Sequence, residues 1–381
     1  DEIMAALCDP AIKIVSLTIT EKGYGIDRTT GGIDSGHAAI TRDLADPKNP
    51  VGAIGILVEA LRRRMLQQKP PFTILCCDNL PENGGIARRV VLDLAHALDP
   101  SLAGWIADRG RFPATMVDRI VPATKPEDLD RVEALTGCRD AAPVVHEPFS
   151  QWVIEDDFVG GDRPDWGAAG ADLVADVKPY EAMKLRMLNG THSALAYLGY
   201  LAGFDTIADT VADADFRAFV RRLWQQEIAP TLTAPPGVSL SDYAETLLAR
   251  YSNPSIRHRT WQIAMDGSQK LPQRILDTLA ATTGPAPGLT LAVAGWIRYA
   301  GGTDEAGARI DVRDPMAERF AALAAATPDP ADRVAAFLGL GEVFPPAIAA
   351  RIAEPVTRAY RALVGRGAHA AVRAVGAGET L

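Results

Sequence analysis

The sequence predicts an α/β portion followed by an all-α portion, and three observations predict it. Two apolar runs, IKIVSLTIT from Ile12 and PFTILCCDN from Pro71, are continuous rather than alternating, as strands buried on both faces of a parallel sheet are. Between them, Val51 to Leu66 carries apolar residues at helical spacing, which suits a crossover helix with its RRR run on the solvent side. From about residue 171 onward almost every segment has the period of a helix, broken only at Pro- and Gly-rich stretches such as TAPPG, TTGPAPG and YAGGTDEAG.

The 381 residues suffice for two domains with full cores. Residues 1–170 read as the remainder of a Rossmann-like dinucleotide-binding domain and 171–381 as a helical C-terminal substrate and catalytic domain. In the first part, IKIVSLTIT and Phe72–Cys77 are the expected strands, Gly84–Leu98 a helix, Met116–Val121 a short strand and Glu147–Phe158 further β structure. In the second, helices are expected over Tyr180–Leu201, Ala214–Ile228, Ser241–Tyr251, Pro272–Ala281, Leu289–Ala300, Met316–Ala326, Ala331–Leu338 and Ala347–Val364.

A dinucleotide fold needs a first strand, a glycine-rich turn and a helix N-terminus to hold the pyrophosphate. DEIMAALCDP reads as a helix end, and nothing before Ile12 supplies that turn, so the chain is expected to be N-terminally shortened, with its cofactor-binding residues unassigned. GGIDSGH at Gly31–His37 reads as a plain loop, and Gly365-Arg366-Gly367 as a helix end.

Composition excludes several classes. A net charge of −9 argues against nucleic acid and anionic membrane as partners, leaving a small molecule. The four cysteines, Cys8, Cys76, Cys77 and Cys138, have no metal-ligand spacing, so no metal is expected and a reducing cytoplasm fits best. The most apolar segment, Leu289–Ile297, is too short to span a bilayer and reads as a core helix. A monomer or weak oligomer is expected.

Chemistry concentrates in KLRMLNGTH, Lys184–His192. A lysine among Met183, Leu185, Met187 and Leu188 is either a helix-edge residue or a desolvated amine with its pKa lowered toward neutrality, where it can act as a base. On a straight helix Lys184 and His192 lie about 12 Å apart along the axis, so they either contact different hydroxyls of one extended substrate or the helix is disturbed at Asn189-Gly190. Asp78 and Asn79 fall at the carboxyl end of a strand, where open α/β sheets bind ligands; Asn83 is the nearby rival in a credible turn.

Lys, four residues, Asn, two residues, His is the signature of the polyol-specific long-chain dehydrogenases, the mannitol dehydrogenase family. The chain resembles that family over nearly its whole length, also through TITEKGY, CDNLPENG, FPATMVDRI, EPFSQWVIEDDF and RYSNPSIRHRTWQIAMDGSQKLPQR. The resemblance implies a metal-independent oxidoreductase using NAD, with NADP as the alternative. Lys184 would be the general acid/base, Asn79 and Asn189 donors to the developing alkoxide, His192 a ligand of a substrate hydroxyl, and Glu181 a proton relay. Asp118 matches a substrate-contacting aspartate and Lys270 a substrate-pocket lysine.

Within the family the blocks look more like the branch that interconverts a hexuronate ketone and its alcohol, D-fructuronate and D-mannonate. A hexuronate carboxylate needs a fixed cation, for which Arg257, His258, Arg259 and Lys270 are candidates, and Gln262 stands where mannitol-oxidising members tend to have an arginine. The alternatives are D-mannitol/D-fructose chemistry and a non-catalytic binding protein derived from the family.

Overall fold

The structure, a computed structural model, describes residues 2–27 and 30–381. Its contacts divide the chain into a sheet unit, Asp1–Arg119 with Pro148–Glu181, and a helical unit, Ile120–Glu147 with Ala182–Leu381. The expected single cut near residue 170 thus differs from the observed division, because 120–147 belongs with the helices. Glu147 explains why: its carboxylate accepts both Nε (3.1 Å) and Nη2 (2.8 Å) of Arg250 and the Ile120 N–H, and both partners of the ion pair are buried.

In the sheet unit, β1 (Ile14–Leu17) and β2 (Thr73–Cys76) pair in parallel with Ile14 opposite Thr73. The helix Ala53–Leu66 provides the crossover, burying Ile54, Leu57, Val58 and Leu61 at helical spacing. β3 (Thr115–Asp118) pairs antiparallel to β4 (Gln151–Glu155), which pairs in parallel with β5 (Asp172–Val174). The sheet structure is therefore mixed where a parallel sheet was expected. Thr115 ties the two sheets together, its hydroxyl donating to the Cys76 carbonyl at 2.7 Å.

The first expected strand stops early: Thr20 adopts φ 62° and opens a short helix, Thr20–Gly23, held by Asp78 through the Ile19 and Thr20 N–H groups. The arginine run is not wholly on the solvent side either. Arg64 is fully buried, donating to the carbonyls of Leu7, Asp9, Ile12 and Pro70 and lying over the Phe72 ring. A guanidinium can be buried when backbone acceptors replace its water.

The helical unit packs Thr191–Leu201, Pro287–Ala300, Pro346–Arg366 and Ala368–Ala377 around one core. Pro287–Ala300 is buried nearly all round, which accounts for its apolar sequence, and among the described residues no helix is long and apolar enough to cross a membrane. Gly367 ends Pro346–Arg366 at φ 82°, so the Gly365-Arg366-Gly367 spacing is a helix stop. Helices at Pro100–Arg109, Pro126–Thr136 and Ala368–Ala377 were not expected.

Candidate active site

The expected catalytic stretch lies on a helix whose middle is π-helical. α-Helix covers Lys178–Met183, π-helix Lys184–Gly190, and α-helix resumes over Thr191–Leu201. This is the disturbance anticipated at Asn189-Gly190. A π segment shifts the carbonyl ladder and needs outside donors. Trp224 Nε1 donates to the Met187 carbonyl at 3.0 Å, and the Tyr251 hydroxyl to Leu188 at 2.7 Å. Gly190 permits a close neighbour, since a Cβ there would stand 2.6 Å from the Arg274 carbonyl oxygen on a second π segment, Pro272–Leu276.

Within the helical unit, Lys184 and His192 are buried and Asn189 is half-buried. His258 meets His192 edge-on with ring centroids 4.9 Å apart, and Tyr251 lies on another side at 5.2 Å. Burial, then the charges of His258, Arg274, Arg250 and Lys270, push His192 well below the ordinary imidazole range, so it is a neutral ring at physiological pH. His258 is lowered as well, by burial and by Lys270. Its Nδ1 is buried without a hydrogen-bond partner.

Lys270 donates to the Met265 carbonyl at 2.6 Å, and burial followed by the Arg274 charge lowers its pKa, against opposing contributions from Asp266 and Asp314. Arg274 was not anticipated, although its spacing of four residues from Lys270 was a usable signal. Its Nη1 donates to Ser193 Oγ at 3.2 Å. Arg257 and Arg259 are exposed, Arg257 at φ 40°, and neither appears among the charges acting on His192; Gln262 is exposed on the helix Thr260–Ala264.

The remaining expected residues lie in the sheet unit. Asn79 is exposed just beyond β2, and Asp118 is buried at the end of β3. The rival Asn83 is a strut: its NH₂ donates to the carbonyls of Asp78 and Thr115, and its Oδ1 accepts the Thr115 N–H at 2.9 Å. Its amide is consumed by structure. Asp78 also accepts the Tyr24 hydroxyl at 2.7 Å. Glu181 accepts the Glu82 N–H at 3.3 Å, and burial raises its pKa to about 7.

For a dinucleotide, this edge offers side chains rather than backbone amides, since the N–H groups of Ile19 and Thr20 are held by Asp78. No glycine-rich diphosphate turn is found among the described residues.

Two family models match the chain: "Mannitol dehydrogenase Rossmann domain" over residues 1–168 and "Mannitol dehydrogenase C-terminal domain" over 176–364. The protein is thus a dehydrogenase acting on CH–OH groups. More particularly, it belongs to the mannitol dehydrogenase family. The Rossmann-domain model matches from residue 1, and the chain spans about three quarters of the length of D-mannonate oxidoreductase, a relative.

The chain is similar to D-mannonate oxidoreductase of Escherichia coli K12, with 51% identity over 98% of this chain and 77% of the relative. It is 43% identical to mannitol 2-dehydrogenase of Pyrenophora tritici-repentis over 86% of this chain and 59% of that one. Among solved structures, Pseudomonas fluorescens mannitol 2-dehydrogenase, in a ternary complex with NAD and D-mannitol, superposes with a TM-score of 0.82 at 37% identity over 98% of this chain and 76% of its own.

Proposed function

We propose that the protein is a metal-independent, NAD-linked oxidoreductase that interconverts D-fructuronate and D-mannonate, acting in the cytoplasm as a monomer or weak oligomer. NAD, when bound, supplies or accepts the hydride. The chain's residues handle the proton and the substrate. In the reducing direction Lys184, as ammonium, gives its proton to the carbonyl oxygen as that atom becomes an alkoxide; in the oxidising direction the neutral amine removes the hydroxyl proton. Asn79 and Asn189 donate to the developing alkoxide, where loss of one donor typically costs about 3 kcal/mol. Glu181, with its pKa near 7, exchanges that proton with water. His192 and Asp118 bind substrate hydroxyls, and His258 and Lys270 take the acid end, with Arg257 retained as the outer candidate.

The observation that carries the choice of substrate is the set of groups around His192. Of these, Lys270 and Arg274 have no carboxylate ion-pair partner among the described residues, and both act on His192 with positive charge. A neutral polyol has no use for two such half-buried cations, whereas a carboxylate offsets them. Similarity to D-mannonate oxidoreductase supports the same choice. The second reading, mannitol 2-dehydrogenase chemistry, is favoured by the likeness to the complex with NAD and D-mannitol. Parallel measurement of NADH-dependent reduction decides: kcat/KM for D-fructuronate is expected to exceed that for D-fructose by orders of magnitude, and the reverse order would leave the mannitol reading in its place.

A further inference from the structure

Buried Arg250 and half-buried Lys270 and Arg274 are the cations around His192, and their partners differ in kind. Arg250 is neutralised, with two of its nitrogens on the Glu147 carboxylate. Among the described residues, Lys270 donates only to neutral carbonyls, those of Met265 and Ile263. Arg274 has the Ser193 hydroxyl. Among the described residues neither Lys270 nor Arg274 forms an ion pair with a carboxylate. They stand four residues apart on consecutive helical segments, Gly267–Leu271 and Pro272–Leu276, a spacing at which like charges repel.

Two half-buried cations placed together at a cost in desolvation and repulsion call for an anion to offset them. Other groups nearby are also incomplete. His258 Nδ1 and the Tyr197 hydroxyl are buried without partners, and the Arg274 charge acts on the Tyr197 phenol. Buried polar atoms are rarely left so unless water or a ligand completes them. The backbone around Arg274 is held in place by the Gly190 approach to its carbonyl, so its guanidinium is presented from a fixed base.

We propose that Arg274, together with Lys270, forms a clamp for the substrate carboxylate, and that Arg274 sets the preference for a sugar acid over a neutral polyol. This rests on the hexuronate reading above. The planar guanidinium supplies two parallel N–H donors to the carboxylate, and the Lys270 ammonium adds a point charge. The ligand class is a six-carbon sugar acid with a free carboxylate at one end.

The test compares kcat/KM for D-fructuronate and D-fructose, with saturating NADH, in the wild-type chain, Arg274→Gln and Arg274→Lys. Arg274→Gln is expected to lose about 100-fold on fructuronate, mainly in KM, and less than about threefold on fructose, since a charge-assisted bidentate contact is lost from one substrate only. Arg274→Lys is expected to recover part of the fructuronate activity, and should the Gln variant not fold, the same ratio in the Lys variant decides. Equal losses on both substrates would overturn the clamp while leaving the hexuronate reading intact. A wild-type preference for fructose would overturn that reading, and the clamp with it.

Discussion

Two arginines, Arg64 in the sheet unit and the half-buried Arg274 in the helical unit, show how differently a fold can treat the same side chain. Arg64 in the sheet unit is surrounded by acceptors: four backbone carbonyls take its N–H groups and an aromatic ring covers its face. Arg274 in the helical unit has one hydroxyl partner and a lysine for a neighbour. The first arrangement is complete and serves the fold. The second is incomplete in the way a binding site is before its ligand arrives. Beyond the fuller burial of Arg64, the two differ in the quality of the partner set, and that difference sorts other charged groups too. Glu147 and Arg250 fall with Arg64, while Lys270 falls with Arg274.

If that division is right, losing a site charge should change catalysis and spare stability, and losing a structural charge should do the opposite. The largest effect is expected from Lys184→Met, which removes the base but retains an apolar stem. Turnover should fall on the order of 1,000-fold, with a urea midpoint equal to or above that of the wild type. A rate within tenfold of wild type would take Lys184 out of the mechanism. Next, Arg250→Met strands the Glu147 carboxylate in the interior and is expected to cost about 3–5 kcal/mol in equilibrium unfolding. Folded molecules of that variant should keep most of their KM for the sugar. A large KM effect with unchanged stability would move Arg250 into the site and blur the comparison.

The smallest effect concerns pH. His192 has a folded pKa held well below its unfolded value by burial and by the surrounding His258, Arg274, Arg250 and Lys270. The unfolded chain therefore binds a proton at His192 that the folded chain refuses. Stability should accordingly be full above the ordinary imidazole pKa of about 6.5 and decline as pH falls below it. Thermal midpoints from pH 7.5 to 5 should fall less steeply in His192→Asn than in the wild type. Parallel curves would mean that His192 titrates alike in both states.

Much of this was legible in the sequence. The apolar runs give β1 and β2, and the Pro and Gly breaks give the order of helices in the second half. The Lys184–His192 spacing left open either contacts with different substrate hydroxyls or a helix disturbed at Asn189-Gly190, and the helix is π-helical over Lys184–Gly190. The illegible parts depend on contacts between distant residues. Arg64 sits in a run that periodicity alone places toward solvent, and what buries it are carbonyls 52 to 57 residues earlier in the chain and one 6 residues later. Asn83 is distinguished from Asn79 by its bonds to Thr115, 32 residues on. Arg274 gains its meaning from Ser193, 81 residues back, and from the histidine next to that serine. Local pattern can nominate such residues, but only the fold supplies their partners.

The contact between Gly190 and Arg274 also bears on how this site can change its substrate. Because the two helices meet there backbone against backbone, with no room for a methyl group, side-chain repacking elsewhere cannot bring them closer or let one roll past the other. The spacing between the helical segment that carries Lys184 and the one that carries Arg274 behaves as a fixed dimension of the molecule. Selection for a new sugar is then confined to exchanging the groups that project from these two rails, one residue at a time, rather than resizing the gap they define.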